Sequence, residues 1–258
     1  PICHAGTLDP MATGMLVIGV GKATRLLGYL TQSEKEYLGT IRLGMATTTD
    51  DAQGETISQA STREISQAQI YEALREFRGH IQQRPSAVSA IQVDGKRAYA
   101  RVRAGEEVEL PPREVTIHDC EVISITDHPD LDVIDIDVRV VCSVGTYIRA
   151  IARDLGAALK VGGHLTSLRR TRSGAFASMK SLETLEAEPQ VIDITSAIRQ
   201  VFDCVQIDEE QTVRALHGVR VPAPATATGT VGVLGADGTA VSLCEVKNEE
   251  LVPLVVFV

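Results

Sequence analysis

The sequence predicts an α+β fold, in which a mixed, largely antiparallel sheet is flanked by helices and followed by a small β-rich module. Helix-type and strand-type patterns alternate along the first 200 residues. Residues 132–141 alternate apolar and polar side chains, which is typical of a half-solvated antiparallel strand. From residue 204 the pattern changes to short strands separated by turn signals, which predicts a small all-β unit. We therefore expect two domains, at residues 1–200 and 204–258.

Local patterns predict the elements of the first domain in chain order. Three early segments predict a buried strand, a helix and an alternating strand, respectively: residues 14–20, 22–30 and 35–45. The next helix, 67–78, begins with a capping box formed by Ser66 and Gln69. A later helix follows the 132–141 strand, and its apolar face is formed by Ile148, Ile151, Leu155 and Leu159.

The composition excludes several classes of protein. Hydrophobic residues make up 44% of the 258 and charged residues 23%, which is enough apolar surface for a core and excludes a fully disordered chain. No apolar run reaches the roughly 20 residues of a membrane span, so we expect no membrane partner. The five cysteines are widely spaced and lack a C-x-x-C motif, which predicts reduced thiols in a cytoplasmic protein rather than a zinc site.

The charge is unevenly distributed. The formal net charge of −9 gives the chain no broad positive field. Positive charge is instead local: residues 149–172 hold six basic residues against one acidic residue. A second basic cluster is formed by Lys96, Arg97, Arg101 and Arg103. Both clusters suit contacts with phosphate, and a solvated protein face is the alternative for each.

The segment from His4 to Gly14 contains the strongest candidate for chemistry, Asp9. Pro10 restricts Asp9 to extended backbone, and Gly14 allows a sharp turn. A carboxylate in such a loop can act as a nucleophile or a base, although capping the loop is the alternative role. His4 is a candidate acid or base, with a structural histidine as the alternative.

Two further segments contain candidate site residues. Tyr147 and Arg149 stand where a strand ends and a helix begins, so both side chains can point into one cleft, where Arg149 can pair with a carboxylate. An exposed arginine on a first helical turn is the alternative. In the run 168–172, Arg169 and Arg170 are candidate phosphate contacts.

The remaining patterns concern ring stacking and nucleotide loops. Tyr37 and Tyr147 can each stack on a planar base or fill the core. The glycine-containing segment 19–24 is superficially similar to a phosphate-binding loop. It lacks the residues of both the Walker motif and the dinucleotide fingerprint, so it predicts a strand-to-helix turn.

Taken together, these segments resemble the TruB-type tRNA pseudouridine synthases of the pseudouridine synthase superfamily. Residues 4–14 are similar to the signature H-x-G-T-L-D-P-x-A-x-G, and the resemblance covers roughly residues 1–190. Further blocks occur in the family's order, among them Lys35–Tyr37, Gly95–Tyr99, Gly145–Arg149 and Leu168–Arg170. The tail resembles a PUA-type RNA-binding module.

This resemblance implies a specific reaction. Such enzymes convert the uridine at position 55, in the TΨC loop of tRNA, to pseudouridine, with no metal, no cofactor and no obligatory protein partner. By similarity, Asp9 is the nucleophile, Arg149 pairs with it, and the target base is flipped out of its loop. Tyr37 stacks on the flipped base and is the candidate acceptor of the C5 proton.

The resemblance also assigns secondary roles. Tyr147 and Leu168 complete the wall of the pocket, and His4 helps to fill the gap left by the base. Contacts with the backbone of the TΨC stem-loop are expected from the basic clusters, with Lys96, Arg97, Arg169 and Arg170 as the candidates.

One block departs from the family pattern, and two alternative functions stay open. Val88 and Gln92 replace the aromatic residue and the lysine of the block P-P-x-Y-S-A-x-K. One alternative is a guide-RNA-dependent relative that acts on ribosomal RNA inside a ribonucleoprotein. The other is a non-catalytic RNA-binding factor. Activity on bare tRNA distinguishes both from the proposed enzyme.

Overall fold

The computed structural model describes residues 1–86, 92–93, 96–97 and 110–257. Its strands are β1 (Ile2–Ala5), β2 (Thr13–Gly14), β3 (Val17–Val20), β4 (Lys35–Leu43), β5 (Met45–Thr47), β6 (Thr56–Gln59), β7 (Gly79–Gln83), β8 (Gln92–Val93), β9 (Lys96–Arg97), β10 (Arg113–His128), β11 (Val133–Cys142), β12 (Gly163–Ser173), β13 (Cys204–Gln206), β14 (Val221–Pro222), β15 (Thr230–Leu234), β16 (Ala240–Lys247) and β17 (Glu250–Val256).

The helices follow the same chain order. A 3₁₀ turn over Gly21–Arg25 precedes α1 (Leu27–Leu30), α2 (Gln67–Arg75), α3 (Ile148–Ala158), α4 (Leu182–Ala187), α5 (Ile194–Val201) and α6 (Glu209–Leu216). Among the described residues, no helix combines the length and the apolar character needed to span a membrane.

The chain packs as two compact units. The larger unit comprises residues Leu8–Met15 and Gln32–Ser173. The smaller unit is formed by both ends of the chain, Pro1–Thr7 and Gly174–Val258, together with Leu16–Thr31.

A six-stranded sheet in the order β2-β12-β4-β11-β10-β7 organises the larger unit. Every pairing is antiparallel except the parallel pair β2–β12, and β4 lies between β11 and β12. The inner face of β4 and β11 is apolar, with Ile41 and Ile136 fully buried. Helices α2 and α3 contribute the other wall of this core, through Ile70, Leu74, Ile151 and Leu155.

The local predictions for this unit are present in the structure. Ser66 and Gln69 form the capping box of α2, with each side chain bonded to the other residue's backbone. The alternating segment 132–141 is strand β11, and the helix with the apolar face of Ile148 and Ile151 is α3. Strand β11 and helix α3 could be predicted because the side chains on one face of each are apolar.

The smaller unit contains a five-stranded sheet in the order β13-β15-β16-β17-β14. It also contains a two-stranded ribbon formed by β1 and β3. Helix α5 packs on the larger of these sheets, where Ile198 and Leu243 are fully buried.

Two sequence predictions are corrected by the structure. Residues 14–20 do not form one buried strand: the segment is divided between β2 and β3, which pair in different sheets. Among the described strands β3 pairs only with β1, and its residues Ile18 and Val20 are each 51% exposed. The segment after residue 204 is not all-β either, because α6 begins there with a capping box of Asp208 and Gln211.

Candidate active site

The loop that carries Asp9 is anchored at its C-terminal end by strand β12. The backbone N–H of Met15 donates to the carbonyl oxygen of Arg170 at 2.8 Å, and Gly14 is the parallel register partner of Arg170. Gly14 has a φ of +94°, a conformation that favours glycine. Within the loop, the N–H of Ala12 donates to the carbonyl oxygen of Asp9 at 2.9 Å. Backbone hydrogen bonds therefore fix the loop between Asp9 and Met15, on the C-terminal side of Asp9.

Arg149 holds the Asp9 carboxylate through two parallel hydrogen bonds. Its Nε donates to Oδ2 of Asp9 at 2.8 Å, and its Nη2 donates to Oδ1 at 2.9 Å. The Arg149 side chain, on the first turn of α3, is 3% exposed, whereas the Asp9 side chain is 28% exposed. Bidentate pairing fixes both the position and the rotation of a carboxylate. The pair thus presents an oriented, solvent-accessible carboxylate on a buried guanidinium.

The same guanidinium binds a second carboxylate, which the sequence analysis did not single out as functional. Nη1 of Arg149 donates to Oδ2 of Asp51 at 3.3 Å and to the carbonyl oxygen of Thr49 at 3.1 Å. The Asp51 side chain is only 4% exposed, and its Oδ1 accepts hydrogen bonds from Thr49 Oγ1 and from the N–H of Gln53. Asp51 therefore orients Arg149 from behind, while Asp9 remains on the open side.

A second arginine of the same helix holds the residue before Asp51. Nη1 of Arg153 lies 3.2 Å from Oδ2 of Asp50, which also accepts a 2.6 Å hydrogen bond from the hydroxyl of Ser86. Asp50 adopts a φ of +59°, which is uncommon for a residue other than glycine. These contacts over-determine the conformation of the loop that presents Asp51.

Tyr37 and Leu168 lie on the inner face of the six-stranded sheet. Leu168 is buried in the core, and Tyr37 is half-buried and packs against that core. Burial raises the pKa of the Tyr37 phenol, the hydrogen bond and positive charge of Arg170 lower it, and the negative charge of Asp9 raises it further. Burial is the largest of these effects, so the net pKa of the Tyr37 phenol is raised.

Tyr147 is positioned through its backbone. It is the N-cap residue of α3, two positions before Arg149, and its side chain is half-buried. Its N–H donates to Oε1 of Gln83 at 2.8 Å, and its carbonyl oxygen accepts from Nε2 of the same side chain at 3.1 Å. The amide of Gln83 therefore fixes the peptide units on both sides of Tyr147.

The structure corrects the prediction that Arg170 contacts the RNA backbone. Arg170 is 1% exposed, and its Nε donates to the carbonyl oxygen of Met15 at 2.8 Å. A phosphate cannot reach a guanidinium that is enclosed in this way. Arg169, its neighbour on β12, points to the opposite face and is exposed, as a phosphate contact requires.

The remaining predicted site residues lie elsewhere. His4 is exposed on β1, in the smaller unit. The side chains of Lys96 and Arg97 lie outside the described residues, as do Val88 and the side chain of Gln92. In the part of the chain that the structure describes, no three His, Cys, Asp or Glu side chains are grouped as metal ligands.

Comparison with family models decides the relationship that the Asp9 loop suggests. Residues 1–148 match the N-terminal domain of the TruB family pseudouridylate synthases. Residues 149–205 match a C-terminal domain of tRNA pseudouridylate synthase B, and residues 202–258 match the C-terminal domain of tRNA pseudouridine synthase II. The chain belongs to the TruB family of pseudouridylate synthases. The family predicted from the sequence is thereby confirmed.

Curated relatives match over nearly the whole chain. A protein of Thermobifida fusca is 49% identical over 258 residues, which cover 98% of this chain and 88% of the relative. A Streptomyces griseus protein is 49% identical over 259 residues, with 98% and 87% covered, and a Corynebacterium diphtheriae protein is 45% identical, with 98% and 85% covered. All three relatives are named tRNA pseudouridine synthase B.

Solved structures share the fold. A Cbf5–Nop10–Gar1 complex contains a chain with a TM-score of 0.70 and 24% identity, covering 100% of this chain and 77% of that one. An H/ACA ribonucleoprotein bound to a substrate RNA containing 2′-deoxyuridine contains another, with a TM-score of 0.68 and 22% identity, covering 100% and 76%. These similarities confirm the predicted fold class, a pseudouridine synthase fold with a β-rich C-terminal module.

Proposed function

We propose that this protein isomerises the uridine at position 55 of tRNA to pseudouridine, with Asp9 as the nucleophile. The observation that carries the proposal is the Asp9 carboxylate, held at both oxygens by the buried Arg149 in a chain of the TruB family. The relatives that are 45–49% identical are named tRNA pseudouridine synthase B, which supports pseudouridine formation in tRNA.

The reaction moves one bond and needs no net oxidation. The C1′–N1 glycosidic bond of the uridine breaks, the uracil turns, and a C1′–C5 bond forms. The proton on C5 leaves, and N1 takes up a proton, so that substrate and product are isomers. Asp9 starts this sequence by nucleophilic catalysis, which divides one difficult exchange into easier steps. Arg149 contributes by holding the carboxylate in its reactive orientation.

The target uridine must leave its loop before Asp9 can reach it. Flipping a base costs a few kcal/mol, and stacking on an aromatic ring offsets part of that cost. Tyr37 is suited to this role because it is half-buried, close to the charge of Asp9 and on the same sheet face as Leu168. Burial raises the pKa of its phenol, which favours the neutral form of the side chain. Tyr147 completes the wall of the pocket from the start of α3.

The partner is the TΨC stem-loop of tRNA, and we place the reaction in the cytoplasm with no cofactor and no obligatory protein partner. Phosphate contacts are assigned to Arg169, Lys96 and Arg97, and His4 fills the gap left by the flipped base. We divide the chain by function into a catalytic domain at residues 1–200 and a PUA-like RNA-binding module at 204–258. The separate family match at 202–258 supports this division, and the compact unit that contains the module also includes residues 1–7, 16–31 and 174–200.

The direct test is activity on bare RNA. The chain alone is incubated with an unmodified tRNA transcript, and pseudouridine is mapped along the product. We expect one pseudouridine, at position 55, and none in a transcript with cytidine there. Modification that requires an added guide RNA would support the ribonucleoprotein alternative. Tight tRNA binding without any pseudouridine would support a non-catalytic binding factor.

A further inference from the structure

We propose that Arg170 is a positioning residue for Tyr37: its buried guanidinium holds the phenol oxygen in the pocket and ties it to the end of the Asp9 loop. The proposal rests on the proposed function, because it gives Arg170 a part in the same reaction. It also replaces the role in RNA binding that the sequence suggested for this residue.

The geometry brings three parts of the site to one guanidinium. Arg170 and Tyr37 are register partners on the neighbouring strands β12 and β4, so their side chains stand side by side on the inner face. Hydrogen bonding and the positive charge of Arg170 both lower the pKa of the Tyr37 phenol, and the Nε of Arg170 donates to the carbonyl oxygen of Met15 at 2.8 Å. Met15 is the last residue of the loop segment that carries Asp9. The guanidinium therefore links the aromatic ring to the nucleophile's loop.

The burial of Arg170 restricts the movement of its guanidinium and of the Tyr37 phenol beside it. At 1% exposure, it is the largest fully buried side chain among the described residues. Burying a guanidinium is unfavourable unless its N–H groups are hydrogen-bonded, so the contacts of Arg170 with its acceptors stabilise its buried position. A phenol held by such a group has little rotational freedom. Tyr37 is therefore fixed in place before the substrate arrives.

The direction of the hydrogen bond has a chemical consequence. Arginine can only donate, so the phenol oxygen of Tyr37 is the acceptor. The phenol hydrogen is then directed away from Arg170. Among the described residues, the titratable side chains that act on the pKa of this phenol are Arg170, Asp9 and Cys142, and only Arg170 lowers it. Arg170 thus both orients and polarises the oxygen of Tyr37.

A structural role of Arg170 predicts a different outcome from a role through the phenol. If Arg170 acts only by holding Met15, its removal harms the enzyme whether or not Tyr37 has a hydroxyl group. If it acts through the phenol oxygen, its removal has no further effect once that oxygen is absent. A double-mutant cycle separates the two cases.

The cycle compares wild type, Arg170→Met, Tyr37→Phe and the double variant in single-turnover assays with saturating tRNA. We expect Arg170→Met to slow pseudouridine formation by about ten- to a hundredfold, with tRNA affinity unchanged. In the Tyr37→Phe background, the same change should cost less than about threefold. Equal losses in the two backgrounds would overturn the proposal.

Two further variants serve as controls for the double-mutant cycle. Arg139→Met removes an arginine of the same sheet whose partners are Glu36, Asp119 and Glu121, and it should leave the rate near that of wild type. If Arg170→Met does not fold, Arg170→Lys keeps a positive donor of different geometry, and the same cycle is run with it. The fall in rate caused by Arg170→Lys should also disappear in the Tyr37→Phe background. A fall in rate that persists there would overturn the proposal.

A second measurement does not depend on activity. Ionisation of Tyr37 is followed by phenolate absorbance, as the difference between each protein and its Tyr37→Phe counterpart. The pKa of this phenol should rise in Arg170→Met, and an unchanged value would overturn the proposal. If wild type forms no pseudouridine, the proposed function fails, whereas this titration still decides the role of Arg170.

Discussion

Gly14 lies so close to Arg170 that a Cβ added to the glycine would be 2.2 Å from the arginine's carbonyl oxygen. Only a residue without a side chain permits this approach, which ends the Asp9 loop against strand β12. We expect Gly14→Ala to lower the free energy of unfolding by about 2–4 kcal/mol, because it combines a backbone clash with a φ of +94°. Urea denaturation measures this loss.

A second glycine provides the matched control for that prediction. Gly21 also has a positive φ, of +61°, but a Cβ there would meet nothing within 4 Å. Gly21→Ala should therefore cost only about 1 kcal/mol, from the backbone conformation alone. Equal losses in the two variants would show that the close approach at Gly14 contributes nothing.

The second prediction concerns the geometry of the Asp9–Arg149 pair. Arg149→Lys keeps the positive charge but cannot make two parallel hydrogen bonds to a carboxylate. We expect the single-turnover rate to fall by about a hundredfold or more, while tRNA affinity stays within about threefold because Arg149 is buried.

The control for Arg149→Lys is an equally bidentate pair on the other face of the sheet. Nε and Nη2 of Arg42 donate to the two oxygens of Asp135 at 2.8 and 2.7 Å. Arg42→Lys should leave the rate unchanged. A similar fall in both variants would mean that the loss reflects general destabilisation rather than the orientation of Asp9.

Arg169 is an exposed arginine in the run 168–172, and we propose it as a phosphate contact. We expect Arg169→Ala to weaken the binding of different tRNAs uniformly and to reduce the slope of log K against log salt by about 1, because one phosphate contact is lost. The control is Arg75→Ala, which removes an exposed arginine paired with Glu72 on α2. An unchanged slope in Arg169→Ala would exclude it as a phosphate contact.

The fourth prediction is a pH dependence that arises from Lys35. Burial lowers the pKa of this amine to about 8, helped by the positive charge of Arg170. Between pH 8 and about 10.4 the unfolded chain binds more protons at this residue than the folded chain, so stability rises with pH across that window. The cost of burying the charged amine is therefore fully present below pH 8.

Lys35→Met isolates this contribution. Lys35 Nζ also donates to the carbonyl oxygen and the hydroxyl of Ser33, at 2.7 and 2.9 Å, and methionine lacks both bonds at every pH. The stability of the variant relative to wild type should therefore be higher at pH 7 than near pH 10, by about 3 kcal/mol at most. Guanidinium denaturation at a series of pH values measures it. If the free energy of unfolding changed with pH in the same way for both proteins, the lowered pKa of Lys35 would be contradicted.

Elements whose pattern is local could be predicted from the sequence. In strand β11 and helix α3, apolar residues recur with the period of the element. Helix α2 begins with a capping box whose two residues lie within four consecutive positions. Asp9 was identifiable because Pro10 and Gly14 constrain the backbone around it. In each case neighbouring residues determine the structure.

Features that depend on pairing between distant residues could not be predicted. The split of residues 14–20 depends on which strands β2 and β3 meet, and these partners lie in different sheets. Asp51 joins the site because α3 brings Arg149 to its loop, 98 positions away in sequence. Neither contact leaves a periodic signal.

Arg170 shows where a composition argument fails. A run of arginines suggests a solvated basic face, yet side chains alternate along a strand, so Arg169 and Arg170 point to opposite faces of β12. The period of the strand could have indicated that one of the two is buried. Which one it is depends on the register with β4, and this register was not available from the sequence.

The central claim is that the carboxylate of Asp9 performs the chemistry, and Asp9→Asn tests it most directly. The variant keeps the size and shape of the side chain and loses its charge. We predict no pseudouridine after prolonged incubation with excess enzyme, and a tRNA dissociation constant within about threefold of wild type. Pseudouridine formation by Asp9→Asn at a rate comparable to wild type would contradict the account.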